Sequence, residues 1–173
     1  MEMLLRNITM TDLAAIFERH KDQSPVPYLM DSKSIDQARH LAKNNGSWES
    51  LNTNLDASRD IPVIKRSAFR NYQRIGDRTL PQSKAGYRRR ELEHATIALW
   101  LDHPKADLDY LQDLLWAYCD DYTWVMAAHE GRAIDLGSAA LGATFAEILH
   151  VLGDRLEVEV KERVSEEIER RVF

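Results

Sequence analysis

The sequence predicts an all-α fold of stacked antiparallel helical hairpins, and three observations carry that expectation. Turn formers are scarce, with 7 glycines and 5 prolines in 173 residues, well below the roughly 12% they contribute to an average chain. Apolar residues recur at spacings of three and four in most segments, and no stretch sustains the alternation of a half-buried strand. Residues 87–103 contain no helix breaker and are apolar nearly all round, through Ala95, Ile97, Ala98, Leu99, Trp100 and Leu101, which predicts a helix buried at the centre of the domain.

The elements follow in order. Leu13, Ile16 and Phe17 mark a first helix over residues 11–20, and Thr9 three residues ahead of Asp12 forms a capping-box start. Ser34 and Gln37 suggest a second capping box, with Gly46 closing that helix. Trp48, Leu51 and Leu55 share one face of a third helix, and Pro62 suits the first turn of a fourth that runs to Gly76. Pro104 stops the central helix and Asp107 caps the next, whose stripe is Leu108, Leu111, Leu115 and Tyr118. Residues 134–152 mix alanine with Leu141, Phe145, Ile148, Leu149 and Leu152, and Gly153 stands where a left-handed cap belongs. In the last helix Val160, Val164, Ile168 and Val172 line one face, with Glu159–Arg163, Glu166–Arg170 and Glu167–Arg171 as charge pairs on an outermost element. The sum is roughly eight or nine helices in one domain over residues 1–173.

Composition sets the function classes aside or keeps them. Hydrophobic residues at 44% and charged residues at 29% fit a globular chain with a real core. A net charge of −5 gives no general attraction for polyanions, so no nucleic acid is expected as a partner. The single Cys119 cannot form an intramolecular disulfide, and there is no HExxH, CxxC or glycine-rich phosphate loop. No metal or cofactor is expected. The opening MEMLLRNITM lacks the basic start and apolar run of a secretory leader and no run reaches membrane-spanning length, so the expectation is a cytoplasmic protein with no membrane partner.

The residues that could carry chemistry gather after the helix stripe. Trp116, Tyr118, Tyr122 and Trp124 fall within nine positions, beside Asp120, Asp121, His129, Glu130 and Arg132. Aromatic faces with nearby carboxylates and an imidazole suit a sugar, whose C–H groups pack on rings while its hydroxyls need directed partners. Trp116 and Tyr118 read first as core residues of their helix, whereas Tyr122 and Trp124 follow the acidic turn and are open to either role. His129 could act as a base or as a donor to an acidic sugar, or it could be structural. Arg88, Arg89 and Arg90, with Arg70, Arg74 and Arg78 upstream, could present guanidiniums to a polyanion, or could form a solvated face paired with Glu91 and Glu93.

At this point the chain resembles a known family. IPVIKRSAFRNYQRIGDR, YRRRELEHATIALWL, DDYTWVMAAHEGRAIDL and AEILHVLGDRLEVEVKERVSEEIERRVF, in that order, look like the N-terminal portion of heparinase II/III-like polysaccharide lyases. The resemblance covers roughly the last two thirds of the chain, and the order YTW, His, IDL, AEIL-x-x-LGD, ERR-V-F is more specific than any one piece. It implies part of an (α/α) toroid, incomplete here and followed in whole enzymes by β-sandwich domains. It also implies cleavage of uronate-containing polysaccharides by β-elimination, with the principal catalytic residues outside the matched segment and this chain inactive alone.

Through the resemblance, Tyr122, Trp124 and His129 become candidate cleft residues, with Tyr122 and His129 as weak catalytic candidates. Arg132 is the one local cation for a substrate carboxylate, and Asp135 anchors a helix start. Ala127 replaces an expected proline, and GSAALG over residues 137–142 departs from the family pattern, with Ala140 in place of an acid. The alternative expectation is a non-catalytic helical module that binds an acidic glycan or a protein through Arg88–Arg90 and Trp124. An incomplete toroid would also leave apolar surface near Val164 and Ile168 that self-association would cover.

Overall fold

The computed structural model describes residues 9–23, 26–56, 59–131 and 134–173, and among these it is all-helical with no strand. The order is α1 (Met10–His20), α2 (Pro27–Met30), α3 (Ser32–Asn44), α4 (Ser47–Leu55), α5 (Arg66–Phe69), α6 (Asn71–Ile75), α7 (Thr79–Trp100), α8 (Leu108–Cys119), a 3₁₀ turn (Ala127–His129), α9 (Leu136–Leu152) and α10 (Val158–Val172).

Helix α7 is the axis, packing on α4, α5, α8 and α9, while α10 closes the far side against α8 and α9. The core joins Leu92, Ala95 and Leu99 of α7 to Leu111, Leu114 and Leu115 of α8, Phe145, Ile148 and Leu152 of α9, and Val160 and Val164 of α10. A smaller cluster, Leu51 and Leu55 against Ala98, fixes the α3–α4 hairpin. Trp48 adds a ring contact to His103, with centroids 4.4 Å apart.

Side-chain caps mark the starts of α1, α3, α8 and α9. Thr9 and Asp12 form the expected capping box, and Asp107 accepts from the Tyr110 amide at the start of α8. Helix α3 differs: Asp31 is the cap, its carboxylate accepting from both the amide and the hydroxyl of Ser34 at 2.9 Å, so the hydroxyl expected to cap the helix is itself a donor and the helix starts one turn earlier. Pro62 starts no helix. Residues 59–65 are irregular, and the expected fourth helix is broken into α5 and α6, which end at a left-handed Gly76. The central helix begins earlier than expected and runs through Pro81, because a proline in the first turn removes an amide that has no helical partner anyway.

Helix α7 ends before His103 in an arginine clamp. Asp102 adopts a left-handed φ of 49°, a conformation aspartate tolerates better than most residues. Arg155 Nη1 donates to the Leu99 carbonyl at 2.6 Å and Arg39 Nε to the Leu101 carbonyl at 2.7 Å, and both reach the Asp102 carboxylate. Two cations thereby meet the negative end of the helix dipole.

Two further expectations are corrected at the C-terminal end. Gly153 is right-handed (φ −57°); what requires glycine there is a Cβ position that would strike the Leu149 carbonyl oxygen. The apolar face of α10 is not exposed, since Val164 is 1% accessible and Ile168 packs against the core. Of the expected charge pairs Glu167–Arg171 forms, while Arg170 turns to Glu167 and Arg163 to Asp120 at 2.6 Å. Val172 also explains Gly142: a Cβ there would lie 2.7 Å from Val172 Cγ2, so the absence of a side chain lets α9 and α10 approach. No helix among the described residues is long and apolar enough to cross a membrane.

Candidate functional site

Residues 120–131, between the end of α8 and the start of α9, are irregular backbone around the 3₁₀ turn and are held in place from three sides. Arg88, on α7 and 1% accessible, makes two 2.9 Å hydrogen bonds to the Asp121 carboxylate and lies 4.0 Å over the Tyr118 ring. Arg171, on α10, donates to the carbonyls of Cys119 and Asp121 at 3.1 and 2.9 Å. Trp124 donates its indole N–H to the Tyr118 carbonyl at 2.9 Å, and its ring meets Phe145 edge-on at 5.2 Å. Burial raises the Asp121 carboxyl above its ordinary range, against the opposing pull of Arg88. It also pushes the Tyr118 phenol up to about 12. The Tyr118 phenol therefore keeps its proton near neutral pH.

The expected arginine surface is therefore absent in that form. Arg88 is internal and paired, Arg89 reaches Glu93 at 3.2 Å, and Arg90 lies over the Tyr87 ring. The three consecutive guanidiniums do not share a face, because successive helix positions turn by about 100° each.

Tyr122 sits on the outer side of this anchored segment and is 53% accessible. Its ring meets Phe69 edge-on at 5.8 Å, with the Arg66 guanidinium 5.3 Å above it. Its hydroxyl donates to Glu130 Oε1 at 3.2 Å, and Glu130 Oε2 lies 3.4 Å from Arg70 Nε. A cleft of about 290 Å³ opens beside it, between α5, the first half of α7, residues 121–126 and the start of α9. Tyr122, Trp124 and Phe69 supply aromatic walls, and Gln82, Arg89 and Thr123 supply polar ones. Trp124 presents little surface, being 7% accessible, so Tyr122 is the ring a ligand would meet.

His129 is not among the cleft walls; it stands on the same segment, oriented by a buried carboxylate. Asp135 Oδ2 lies 2.8 Å from His129 Nδ1 and accepts from the Met126 amide at 2.9 Å, while Oδ1 accepts from the Ser138 amide at 2.9 Å. Burial alone would raise the Asp135 carboxyl; the bonds from Ser138, Met126 and His129 outweigh it and hold the group below its ordinary range. An ionised carboxylate only accepts, so Nδ1 carries the hydrogen of this bond and Nε2 is the ring nitrogen left facing away from Asp135. Asp135 caps α9 as expected, and the sequence reading missed that the same carboxylate orients His129. The six-residue spacing was its one local sign.

Arg132, the expected carboxylate partner, lies outside the described residues. Among the described residues no group of three or more His, Cys, Asp or Glu side chains converges as a metal site. Cys119 is buried, and burial pushes its thiol up to about 11, which leaves it unreactive. The arrangement offers an exposed aromatic ring and Arg89 beside an open cleft, with the His129 imidazole on the same segment. No protein-family model matches the chain, and no curated protein matches it.

Proposed function

We propose that this chain is the N-terminal part of a heparinase II/III-like polysaccharide lyase, an incomplete portion of an (α/α) toroid that supplies one wall of the cleft for a uronate-containing polysaccharide. The observation that carries the reading is the cleft beside Tyr122, an aromatic and polar trough on a segment braced by α7 and α10. The ordered series of motifs from YTW to ERR-V-F adds to it, as does the all-helical hairpin architecture.

In β-elimination the C5 proton leaves to a base, the electron pair forms the C4–C5 double bond, and the C4–O bond breaks onto an oxygen that an acid protonates. The sugar carboxylate must be neutralised for the C5 proton to become acidic enough. In this reading Tyr122 packs against a sugar face, and His129 accepts a hydroxyl hydrogen at Nε2. Arg132 meets the acidic sugar. The base and acid of the elimination come from elsewhere in the whole enzyme, so the 173-residue chain binds without cleaving.

The test is ultraviolet absorbance of unsaturated uronate when the full-length gene product meets a panel of uronate polymers. Absorbance with at least one polymer is expected, and Tyr122→Ala should raise KM more than it lowers kcat. No absorbance, together with salt-sensitive polymer binding by the chain, would replace the lyase reading with a glycan-binding module.

A further inference from the structure

The α3–α4 hairpin is attached to the fold as a separate unit. Its apolar contact, Leu51 and Leu55 against Ala98, forms a cluster apart from the main core. Arg39 of α3 holds the Leu101 carbonyl, and the hairpin's ion pairs to the body, Arg39–Asp102 and Asp56–Lys105, leave their carboxylates more than half exposed, where such pairs contribute little. A unit attached by so few buried contacts opens at a lower cost than the unfolding of the whole chain.

At the junction stands His103. Its amide donates to the Ala98 carbonyl at 2.8 Å, which fixes it to the body. It is 4% accessible, and its ring meets Trp48 of α4. The Lys105 amide donates to Nδ1 at 3.1 Å, so the docked ring is neutral and carries its hydrogen on Nε2. Nε2 is buried with no hydrogen-bond partner. A second proton, at Nδ1, would oppose the Lys105 amide hydrogen and leave a buried charge with no acceptor at either nitrogen. The charges around the ring do not supply one. Lys105 and Asp56 pair with each other, and Lys43 of α3 lies 4.8 Å from the centre of the Trp48 ring. Asp102 is engaged by Arg39 and Arg155, and on α7 the nearest imidazole to α4, His94, meets the Asn54 side chain at 3.3 Å. Burial first, and then the Lys105 charge, keep the His103 ring from taking a proton until below its ordinary range, with Asp56 pulling the other way.

We propose that His103 is a pH-sensitive latch: neutral, it seats the α3–α4 hairpin on the end of α7, and protonated, it releases the hairpin. The direction follows from where the proton binds. In the open form the ring meets water and titrates near the ordinary histidine value of about 6.5, whereas the docked ring resists protonation. The docked form is therefore fully favoured above that value and loses about a factor of ten for each pH unit below it, until the docked ring itself takes a proton. Release bares Leu51, Leu55 and Ala98. The latch does not depend on the lyase reading.

Amide hydrogen exchange of the 173-residue chain, corrected for the intrinsic exchange rate, tests it. Between about pH 7.5 and about pH 5.5 the protection of α4 is expected to fall about tenfold, while α8, α9 and α10 keep theirs. His103→Gln, which has no proton to gain, should protect α4 equally at both pH values, and His20→Gln, exposed on α1, should behave as the unsubstituted chain. Lys105→Gln should raise the midpoint of the His103 ring titration followed by NMR, and Asp56→Asn should lower it. Loosening of the hairpin alone would move both midpoints upward, so these two variants decide the matter if His103→Gln leaves the hairpin unseated at both pH values. A fall in α4 protection that persists undiminished in His103→Gln, a loss spread equally over α8–α10, or midpoints that move in the same direction in both charge variants would overturn the proposal.

Discussion

At the residue scale, Arg88 and Asp121 govern how the candidate site is held. An arginine at 1% accessibility with a bidentate carboxylate is a pair whose rupture strands a charge. Arg88→Met is therefore expected to cost about 3–5 kcal/mol at neutral pH, measured by urea unfolding. Asp121 alone would be left buried and ionised, and its carboxyl is already raised by burial. The cost should shrink as the pH falls and the stranded acid takes a proton. Asp135 has the opposite sign. Its folded carboxyl is depressed, so its stabilisation is complete above the ordinary aspartate value of about 3.9 and is lost as the pH falls toward the folded value. Asp135→Asn should flatten that acid limb, while NMR of the His129 ring should show its tautomer preference weakened.

Legibility at this scale followed the range of the interaction. The roles of Asp107, Asp135 and Thr9 as caps were readable because a cap and its amide lie within three residues. Arg88 was not, because its partner is 33 residues away, and a run of three arginines gives no local sign of which one turns inward. For the candidate site, the sequence pointed to the segment and to Tyr122. It did not distinguish an exposed Tyr122 from a buried Trp124, since each follows the same acidic turn.

At the element scale, long helices were legible and their relations were not. The stripe of α10 marked a helix correctly, but whether its valines met solvent or protein depended on α8 and α9. The break between α5 and α6 and the passage of α7 through Pro81 arose from the same limit, because proline marks a first turn without saying which helix it opens. Gly142 gives a direct test of the α9–α10 approach. Gly142→Ala should overpack against Val172 and lower stability by about 1–3 kcal/mol in thermal unfolding, despite the gain in helix propensity. The α7 terminus gives another: Arg155→Ala should cost about 0.3–1 kcal/mol, the ordinary value of a cation at a helix C-terminus, and more when combined with Arg39→Ala.

At the scale of the whole molecule, the helices α7–α10 form a frame on which residues 120–131 and the Asp135 cap are held. Arg88 and Arg171 fasten the near end of that segment and the Asp135 cap its far end, which leaves Tyr122 and His129 displayed between fixed points. A segment so held is suited to recognition, because little conformational freedom remains to be lost on binding. All-α character was readable from composition and periodicity, whereas the toroid and the uronate substrate rest on the resemblance and on the cleft.

The measurement that tests the central claim most directly is an NMR titration of this chain with a size-defined uronate oligosaccharide, following the Trp124 indole N–H and the His129 ring. The account predicts saturable, salt-sensitive shifts there and in residues 121–130, reduced by Tyr122→Ala. Shifts confined to other surfaces, or none at all, would contradict it.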